Sequence, residues 1–219
     1  MKNIARIAVS ILVCTLFATP VHAQLAKSGK SAESLVPQGW EQATATGDIN
    51  KDGFADLLLE ATPNDSTKME VRDDGYVYNY NQPILAIYWG SADGTFTLWK
   101  QYPTLLPHRE DEFTSYGRSY TITDKGILRI SIDPFSSAGS WENGNTTFVY
   151  RYQNGDLYLI GEDQESTIRN TGETCIVSKN YLTNKQQTVK GRIDSDKTRE
   201  TWKSLPRRPL QRLGEHAME

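Results

Sequence analysis

The sequence predicts a mainly β protein built of antiparallel hairpins and meanders, with one or two short helices. Short runs rich in β-branched and aromatic residues recur between positions 55 and 193, and clusters of Gly, Asn and Asp separate them. No long stretch has the 3.6-residue apolar period of a helix. With 219 residues, the chain is long enough to bury one hydrophobic core.

The first 23 residues have the layout of a secretory signal peptide. Lys2 and Arg6 precede an uncharged apolar run over residues 7–18, and the segment ends in the small residue Ala23. The apolar run is too short for a membrane span. We therefore expect a mature protein that begins at about Gln24 and is secreted or periplasmic.

Charge and cysteine content narrow the possible partners. The chain has a formal net charge of -3 and no stripe of Lys and Arg, so nucleic acid is not expected as a partner. A lipid anchor on Cys14 is not expected either, because Val13 is larger than the residue that precedes a lipidated cysteine. Cleavage of the leader leaves Cys175 as a single thiol, which its apolar surroundings predict to be buried and inert.

Four segments are expected along the chain. They are a signal peptide over residues 1–23, a flexible polar segment over 24–36, a single β-rich domain over 37–193, and a charged C-terminal tail over 194–219. A short helix is expected over residues 34–40, because Pro37 and Gly39 would end it there.

Within the β-rich domain, short apolar runs predict the strands. These are expected over residues 55–61, 84–89, 95–101, 119–123, 127–132, 146–152, 157–162, 173–182 and 187–193. Asn154 and Gly155 predict a two-residue hairpin turn. Residues 91–94 and 183–185 are expected to turn two further hairpins.

The segment GDINKDGFADLLLEA, residues 47–61, carries the strongest functional motif. Asp48, Asn50, Asp52 and Asp56 follow the order D-x-N-x-D-G-x-x-D, and Gly53 allows a sharp turn. Calcium takes about six to eight oxygen ligands, and acidic side chains at alternate positions of a tight loop direct oxygens inward. We therefore predict a Ca²⁺ site within residues 47–57.

Electrostatics favour that prediction over an empty loop. Carboxylates about 5 Å apart repel by roughly 3 kcal/mol per pair at an effective dielectric of about 20, and a bound dication reverses the sign. The backbone carbonyl of Phe54 would complete the ligand set, because not all of the side chains can reach one point. The alternative is a solvated loop in which Asp and Asn merely form Asx-turns.

The loop differs from an EF-hand, which would place a glutamate at the twelfth position, where this chain has Leu59. It resembles the FG-GAP/VCBS repeats of integrin-type β-propellers, in which GD-x-N-x-DG-x-x-DLLV leads into a strand and Y-x-G-x-x-DG follows. Residues 47–58 match the first pattern and YWGSADG, residues 88–94, matches the second. The resemblance implies calcium ligation through Asp48, Asn50, Asp52, Phe54 and Asp56.

The resemblance covers only residues 40–100, and the sequence shows no second copy of the acidic loop. Because a propeller typically needs about four or more blades, a complete propeller is not expected. The rest of the chain is similar to exported bacterial proteins that carry one such loop, a likeness that implies no particular activity.

No zinc-protease, C-x-x-C or nucleophile-elbow motif is present. His108 is expected in a solvated loop and His216 in a frayed C-terminus. We therefore expect a non-enzymatic protein with a structural calcium ion and an unknown protein or glycan partner.

Two alternatives stay open. Tyr76, Tyr78 and Tyr80 alternate, so in a strand they would share one face that could contact a carbohydrate or a protein. A hydrolase could instead bring together scattered carboxylates, such as those in the acidic run over residues 110–112.

Overall fold

The computed structural model describes residues 24–108 and 113–218. The predicted signal peptide and the acidic run over residues 110–112 lie outside these ranges. The strands described are β1 (Ser28–Gly29), β2 (Glu41–Gly47), β3 (Asp56–Thr62), β4 (Met69–Val71), β5 (Val77–Asn79), β6 (Ile84–Trp89), β7 (Phe96–Tyr102), β8 (Thr114–Ile122), β9 (Ile127–Ser136), β10 (Glu142–Gln153), β11 (Asp156–Ile168), β12 (Glu173–Asn180), β13 (Lys185–Arg192) and β14 (Ser195–Ser204). Helix α1 spans Ala32–Leu35, and a 3₁₀ turn spans Ser66–Lys68.

The strands form two large antiparallel sheets and one small one. The first sheet has the order β1-β7-β6-β3-β2, the second has the order β14-β13-β12-β11-β10-β9-β8, and β4 pairs with β5. The second sheet follows chain order throughout and is therefore a simple meander. This architecture confirms the mainly β prediction, and it is not a closed propeller. Among the described residues, no helix has the length and apolar character needed to cross a membrane.

The main core lies between the two large sheets. Leu58, Leu85 and Ile87 of the first sheet contribute to it. The second sheet contributes Leu128, Ile130, Ile132, Phe148, Tyr150, Leu157 and Leu159. Successive strand residues point to opposite faces, so the neighbours of Leu58 on β3 face away from this core.

The opposite face of the first sheet is also covered. Leu57, Leu59, Ala61, Ala86 and Tyr88 pack there against Leu25 and Leu35. All seven residues of β3 are therefore buried. Burial on both faces explains why Leu57, Leu58 and Leu59 are consecutive and do not alternate with polar residues.

The expectation of a flexible segment over residues 24–36 is wrong. Leu25 and Leu35 are buried, β1 pairs with β7, and the Tyr88 hydroxyl donates to the carbonyl of Ala26 at 3.0 Å. Helix α1 begins two residues before the predicted 34–40 span and overlaps it only at Ser34 and Leu35. The two leucines order a segment whose polar composition suggested disorder.

The predicted C-terminal tail over residues 194–219 contains regular structure. Strand β14 pairs with β13, and Leu213 and Met218 are buried in the main core. His216 is not frayed, since its Nε2 lies 2.7 Å from the Tyr150 hydroxyl. All ten residues of β14 are exposed, so this edge strand lacks the apolar alternation that sequence analysis detects.

The three expected hairpin turns are confirmed. Asn154 and Gly155 both have positive φ, 51° and 78°, and join β10 to β11. Residues 91–94 lie between paired strands in the same way. Thr183 and Asn184 lie in the turn between β12 and β13, and Lys185 is the first residue of β13. Cys175 lies in β12 as a free thiol, half-buried rather than buried as expected.

Candidate metal centre

The acidic loop closes the hairpin between β2 and β3. Gly47 pairs with Asp56, so the loop residues 48–55 lie between the two strand ends. Ile49, at only 1% exposure, inserts its side chain from the loop into the main core. The loop is thus anchored by one apolar side chain, while its polar side chains lie at the surface. The predicted position at a strand entrance is confirmed.

Three of the predicted ligands are brought together. The Asp52 amide donates to Asp48 Oδ1 at 3.1 Å and to Asn50 Oδ1 at 3.0 Å. The Gly53 amide donates to Asp48 Oδ2 at 3.1 Å, and the Phe54 amide donates to Asp52 Oδ1 at 2.9 Å. Oxygens of Asp48 and Asn50 therefore surround one backbone nitrogen. The Asn50 and Asp52 bonds to amides two residues ahead are the Asx-turns of the alternative interpretation.

Asp56 is buried beneath this loop, where its carboxylate also has a structural role. Its Oδ2 accepts from the amides of Ile49 at 2.8 Å and Asn50 at 3.2 Å, and its Oδ1 accepts from Gly90 at 3.0 Å. This carboxylate therefore links the loop, β3 and the turn after β6. Position 90 must be glycine, because a Cβ there would lie 1.9 Å from the carbonyl oxygen of Ala55.

Burial raises the pKa of the Asp56 carboxyl above its ordinary value, against the opposing effect of its three backbone hydrogen bonds. The negative charge of Asp52 raises this pKa further. The ionised carboxylate is therefore held at a cost in free energy. A nearby cation would lower that cost.

Lys51 provides a counter-charge that the sequence did not indicate. Its ammonium lies 3.7 Å from Asp48 Oδ2 and donates to the backbone carbonyl of Asp124 at 3.1 Å. Lys51 has a positive φ of 64°, and its side chain is half-exposed. The ammonium therefore belongs in the charge balance of the loop.

The Asp and Asn oxygens of the loop suit a hard cation, but they do not surround one common position in this conformation. Over residues 24–108 and 113–218, no group of three or more His, Cys, Asp and Glu side chains is placed to hold a metal ion. The Asn50 amide nitrogen donates to Asp52 Oδ2 at 2.8 Å, so a cation shared by these side chains requires that contact to open. Carboxylate and amide oxygens are the ligands that calcium prefers.

Other carboxylates near the core have direct protein counter-ions. Glu60, on the same strand as Asp56, binds Arg118 at 2.8 Å and accepts from the Tyr120 hydroxyl. Asp156 lies 2.8 Å from Lys100, and Glu162 lies 2.6 Å from Lys179. Burial raises the pKa of the Tyr120 hydroxyl, and the adjacent Glu60 raises it further.

The tyrosines do share one face, at the β4–β5 hairpin. The rings of Tyr76 and Tyr78 are 4.9 Å apart, and those of Tyr78 and Tyr80 are 6.4 Å apart. Tyr78 is buried and accepts from Arg72, while Tyr76 and Tyr80 are 52% and 43% exposed. Their side-by-side arrangement follows from the two-residue period of a strand.

This fold and this loop define a mainly β protein with an acidic, strand-anchored hairpin loop. The family model of the FG-GAP repeat matches residues 42–80, which contain β2, the loop, β3 and the β4–β5 hairpin. The resemblance and its single copy are thereby confirmed, although the second segment at 88–94 lies beyond the match. FG-GAP repeats are interaction modules typical of extracellular proteins. Comparisons with curated proteins and with solved structures gave no match.

Proposed function

We propose that this is an exported interaction protein whose loop, within residues 47–57, binds a structural calcium ion. Asp48, Asn50, Asp52, Asp56 and the backbone carbonyl of Phe54 form the ligand set. The role is non-enzymatic, and the mature chain starts at about Gln24. The FG-GAP match over residues 42–80 supports an interaction role outside the cell.

One observation carries the calcium proposal, namely the charge imbalance of the loop. Three aspartates lie within nine residues, and the ion pair described for them is the 3.7 Å contact of half-exposed Lys51 with Asp48. Glu60, Asp156 and Glu162 each have a cation within 2.8 Å. A cation from solution is therefore expected to gain more electrostatic energy at the loop than at these three carboxylates.

A bound ion would fix the β2–β3 hairpin by mass action. At a calcium concentration a hundredfold above the dissociation constant, one site adds about 2.7 kcal/mol to the free energy of unfolding. The ion supplies positive charge, and the protein supplies oxygens already held by the amides of residues 52–54.

Calorimetric titration of the mature protein with calcium and with magnesium tests this function. We expect one calcium site and weaker magnesium binding, because magnesium demands a smaller and more rigid octahedron. Asp52→Ala should abolish the calcium heat. Asp93→Ala is the matched control, since Asp93 also accepts hydrogen bonds in an exposed turn, outside the loop. Equal calcium heats for both variants would contradict the proposal.

The tyrosine face is a second candidate contact surface, favoured by the exposure of Tyr76 and Tyr80. In this alternative the pair contacts a protein or glycan partner. Tyr76→Ala and Tyr80→Ala should then weaken partner binding without changing calcium binding. Unchanged partner binding in both variants would remove this candidate.

A further inference from the structure

Strand β14 forms a free edge of the second sheet. It is the last strand in the sheet order, it pairs with β13, and all ten of its residues are exposed. The chain that follows β14 turns back toward β11, where the Leu159 amide donates to the carbonyl of Gln211 at 2.8 Å. Within residues 24–108 and 113–218, the side of β14 opposite β13 is therefore uncovered.

The register shows which backbone groups of β14 face that free side. The Leu205 amide donates to the carbonyl of Asn184 at 2.8 Å, so these two residues form a hydrogen-bonded pair. Such pairs alternate along an antiparallel ladder, and Glu200, Trp202 and Ser204 fall at the non-bonded positions opposite β13. Their N–H and C=O groups therefore point away from β13, and a further strand can bond to them.

The core-side face of this edge is positive. Arg199 lies directly opposite Lys190, and Lys203 lies directly opposite Gln186, which is buried. Directly opposite residues share a face, and like charges in this arrangement repel each other. In the described parts of the chain, none of these three cations has an ion pair. The repulsion between Arg199 and Lys190 would be relieved by an anionic group bound beside them.

The carboxylates on the same face do not cancel this charge. Glu162 lies opposite Lys179, which binds it at 2.6 Å, and Glu173 lies opposite Arg192. Arg192 also binds Asp194 at 3.0 Å. Glu173 and Asp194 therefore exceed Arg192 by one negative charge, against the three cations above. The face keeps an excess of positive charge.

The opposite face of the edge is not positive. Glu200 accepts there from the Trp202 indole N–H, and Asp196 shares that face by strand alternation. Lys185, which lies opposite Ser204, supplies one cation to it. A strand beside β14 therefore meets cations on the core side, and on the other side an indole and a small excess of negative charge.

A second copy of the chain does not suit this edge. In a symmetric antiparallel pair, each residue of β14 lies opposite a residue from the same face of the other copy. A pair centred on Arg199 or on Glu200 sets identical charges opposite each other, and a pair centred on Thr201 sets Arg199 opposite Lys203. Charge on an edge strand is a common protection against such pairing. The charges of β14 thus favour a strand of different sequence.

We propose that β14 binds an extended acidic segment of a partner protein as an additional strand. The backbone of the segment bonds to Glu200, Trp202 and Ser204, and its carboxylates lie on the core side near Arg199 and Lys203. Acidic residues at alternate positions of a strand all point to one face, which here is the face of the cations. The proposal names a partner class for the interaction function above and rests on that function.

The test is calorimetric titration of the mature protein with a short peptide in which threonine and glutamate alternate. A matched peptide has the same composition but carries its glutamates in one block, so that they would point to both faces. The alternating peptide should bind about tenfold more tightly than the block peptide, and binding should weaken at high salt. A peptide of alternating threonine and lysine should give no heat.

Two pairs of variants separate the backbone contribution from the charge contribution. Glu200→Pro removes an N–H that points to the free side, so peptide binding should be lost. Glu200→Thr keeps this N–H and should bind at least as tightly as the wild type. Lys203→Gln should weaken binding several-fold and reduce its salt dependence, whereas Lys185→Gln, on the opposite face, should not. Melting temperatures check that Glu200→Pro is folded, since edge strands accept proline where the N–H faces solvent.

Four outcomes would overturn the edge proposal. These are no heat with the alternating peptide, equal affinity for the block peptide, full binding by Glu200→Pro, or equal losses in Lys203→Gln and Lys185→Gln. A wild-type protein that sediments as a dimer, and as a monomer after Glu200→Pro, would show instead that a second copy occupies the edge.

Calcium heats measured on the same samples keep the two proposals distinct. Peptide binding together with an absent calcium heat would refute the calcium function alone. A calcium heat without peptide binding would refute the proposal for β14 alone.

Discussion

The two ends of strand β3 each bury a carboxylate, but different groups balance its negative charge. At the far end, Glu60 is buried with Arg118 at 2.8 Å and the hydroxyl of Tyr120. At the entrance, Asp56 is also buried but is bound by three backbone amides, and Asp48 and Asp52 precede it in the same loop. The protein supplies a full cation at one end of the strand. At the other end it supplies mainly backbone dipoles.

This difference indicates which end responds to ions in solution. A buried carboxylate with a protein cation has no need of another, and breaking such a pair typically costs about 3–5 kcal/mol. A carboxylate held by amides keeps its charge unneutralised, and burial already raises the pKa of Asp56. Calcium should therefore stabilise the Asp56 end of strand β3 and leave the Glu60 end unaffected.

Removing the carboxylate at the Glu60 end should have the largest effect. Glu60→Gln leaves the charge of Arg118 buried and without its partner, so we expect a loss of about 3–5 kcal/mol in the free energy of unfolding. Urea unfolding in calcium and in chelator should give the same loss. The double variant Glu60→Gln/Arg118→Met should lose less. A loss that depended on calcium would show that the Glu60 end of the strand also responds to the ion.

Asp56→Asn should have the next largest effect, because it directs an amide NH₂ group toward backbone donors. We expect a loss of about 1–3 kcal/mol in chelator, and a larger loss in calcium. Urea unfolding in the two conditions measures both quantities. If chelator abolished the loss entirely, Asp56 would be a ligand without the structural role assigned to it.

His216, which lies against Tyr150 near the C-terminus, should affect stability independently of calcium. Burial lowers the pKa of His216 below 6.5, so its contribution to stability is fully present above pH 6.5 and is lost as pH falls through the lowered value. Thermal melts over this range should show a decline that His216→Phe flattens. The decline should be the same in calcium and in chelator. A pH response of equal size in His216→Phe would exclude this origin.

The smallest effect is expected at Lys51, which partly neutralises the loop. Its exposed contact with Asp48 is worth about 0.2–1 kcal/mol, so Lys51→Gln should tighten calcium binding by a factor between about 1.4 and 5. Calcium titration measures the change, with Lys68→Gln as the control on a surface turn outside the loop. Weaker calcium binding in Lys51→Gln would show that the lysine organises the loop and does not compete with the ion.

The sequence predicted the features that depend on local patterns. The strands of the meander and the turn at Asn154 and Gly155 follow from β-branched runs and from turn chemistry. The buried N-terminal leucines and β14 could not be predicted, since their partners are distant in sequence. The strand propensity of Thr201 and Trp202 was the signal available for β14.

The candidate site was predicted in part, for the same reason. The order of Asp48, Asn50, Asp52 and Asp56 is local and points to one loop. The contacts of Asp56 with Gly90 and of Lys51 with Asp124 join residues more than thirty positions apart, so no local pattern contains them. Partner atoms of this kind determine how the charge of the loop is balanced.

The most direct test is a thermal melt of wild-type protein and Asp52→Ala, each in calcium and in chelator. We expect calcium to raise the wild-type melting temperature, and we expect the two proteins to melt at nearly the same temperature in chelator. Asp52→Ala should show no calcium-dependent rise. An equal loss in both conditions, or a wild-type protein indifferent to calcium, would contradict a cation held by this loop.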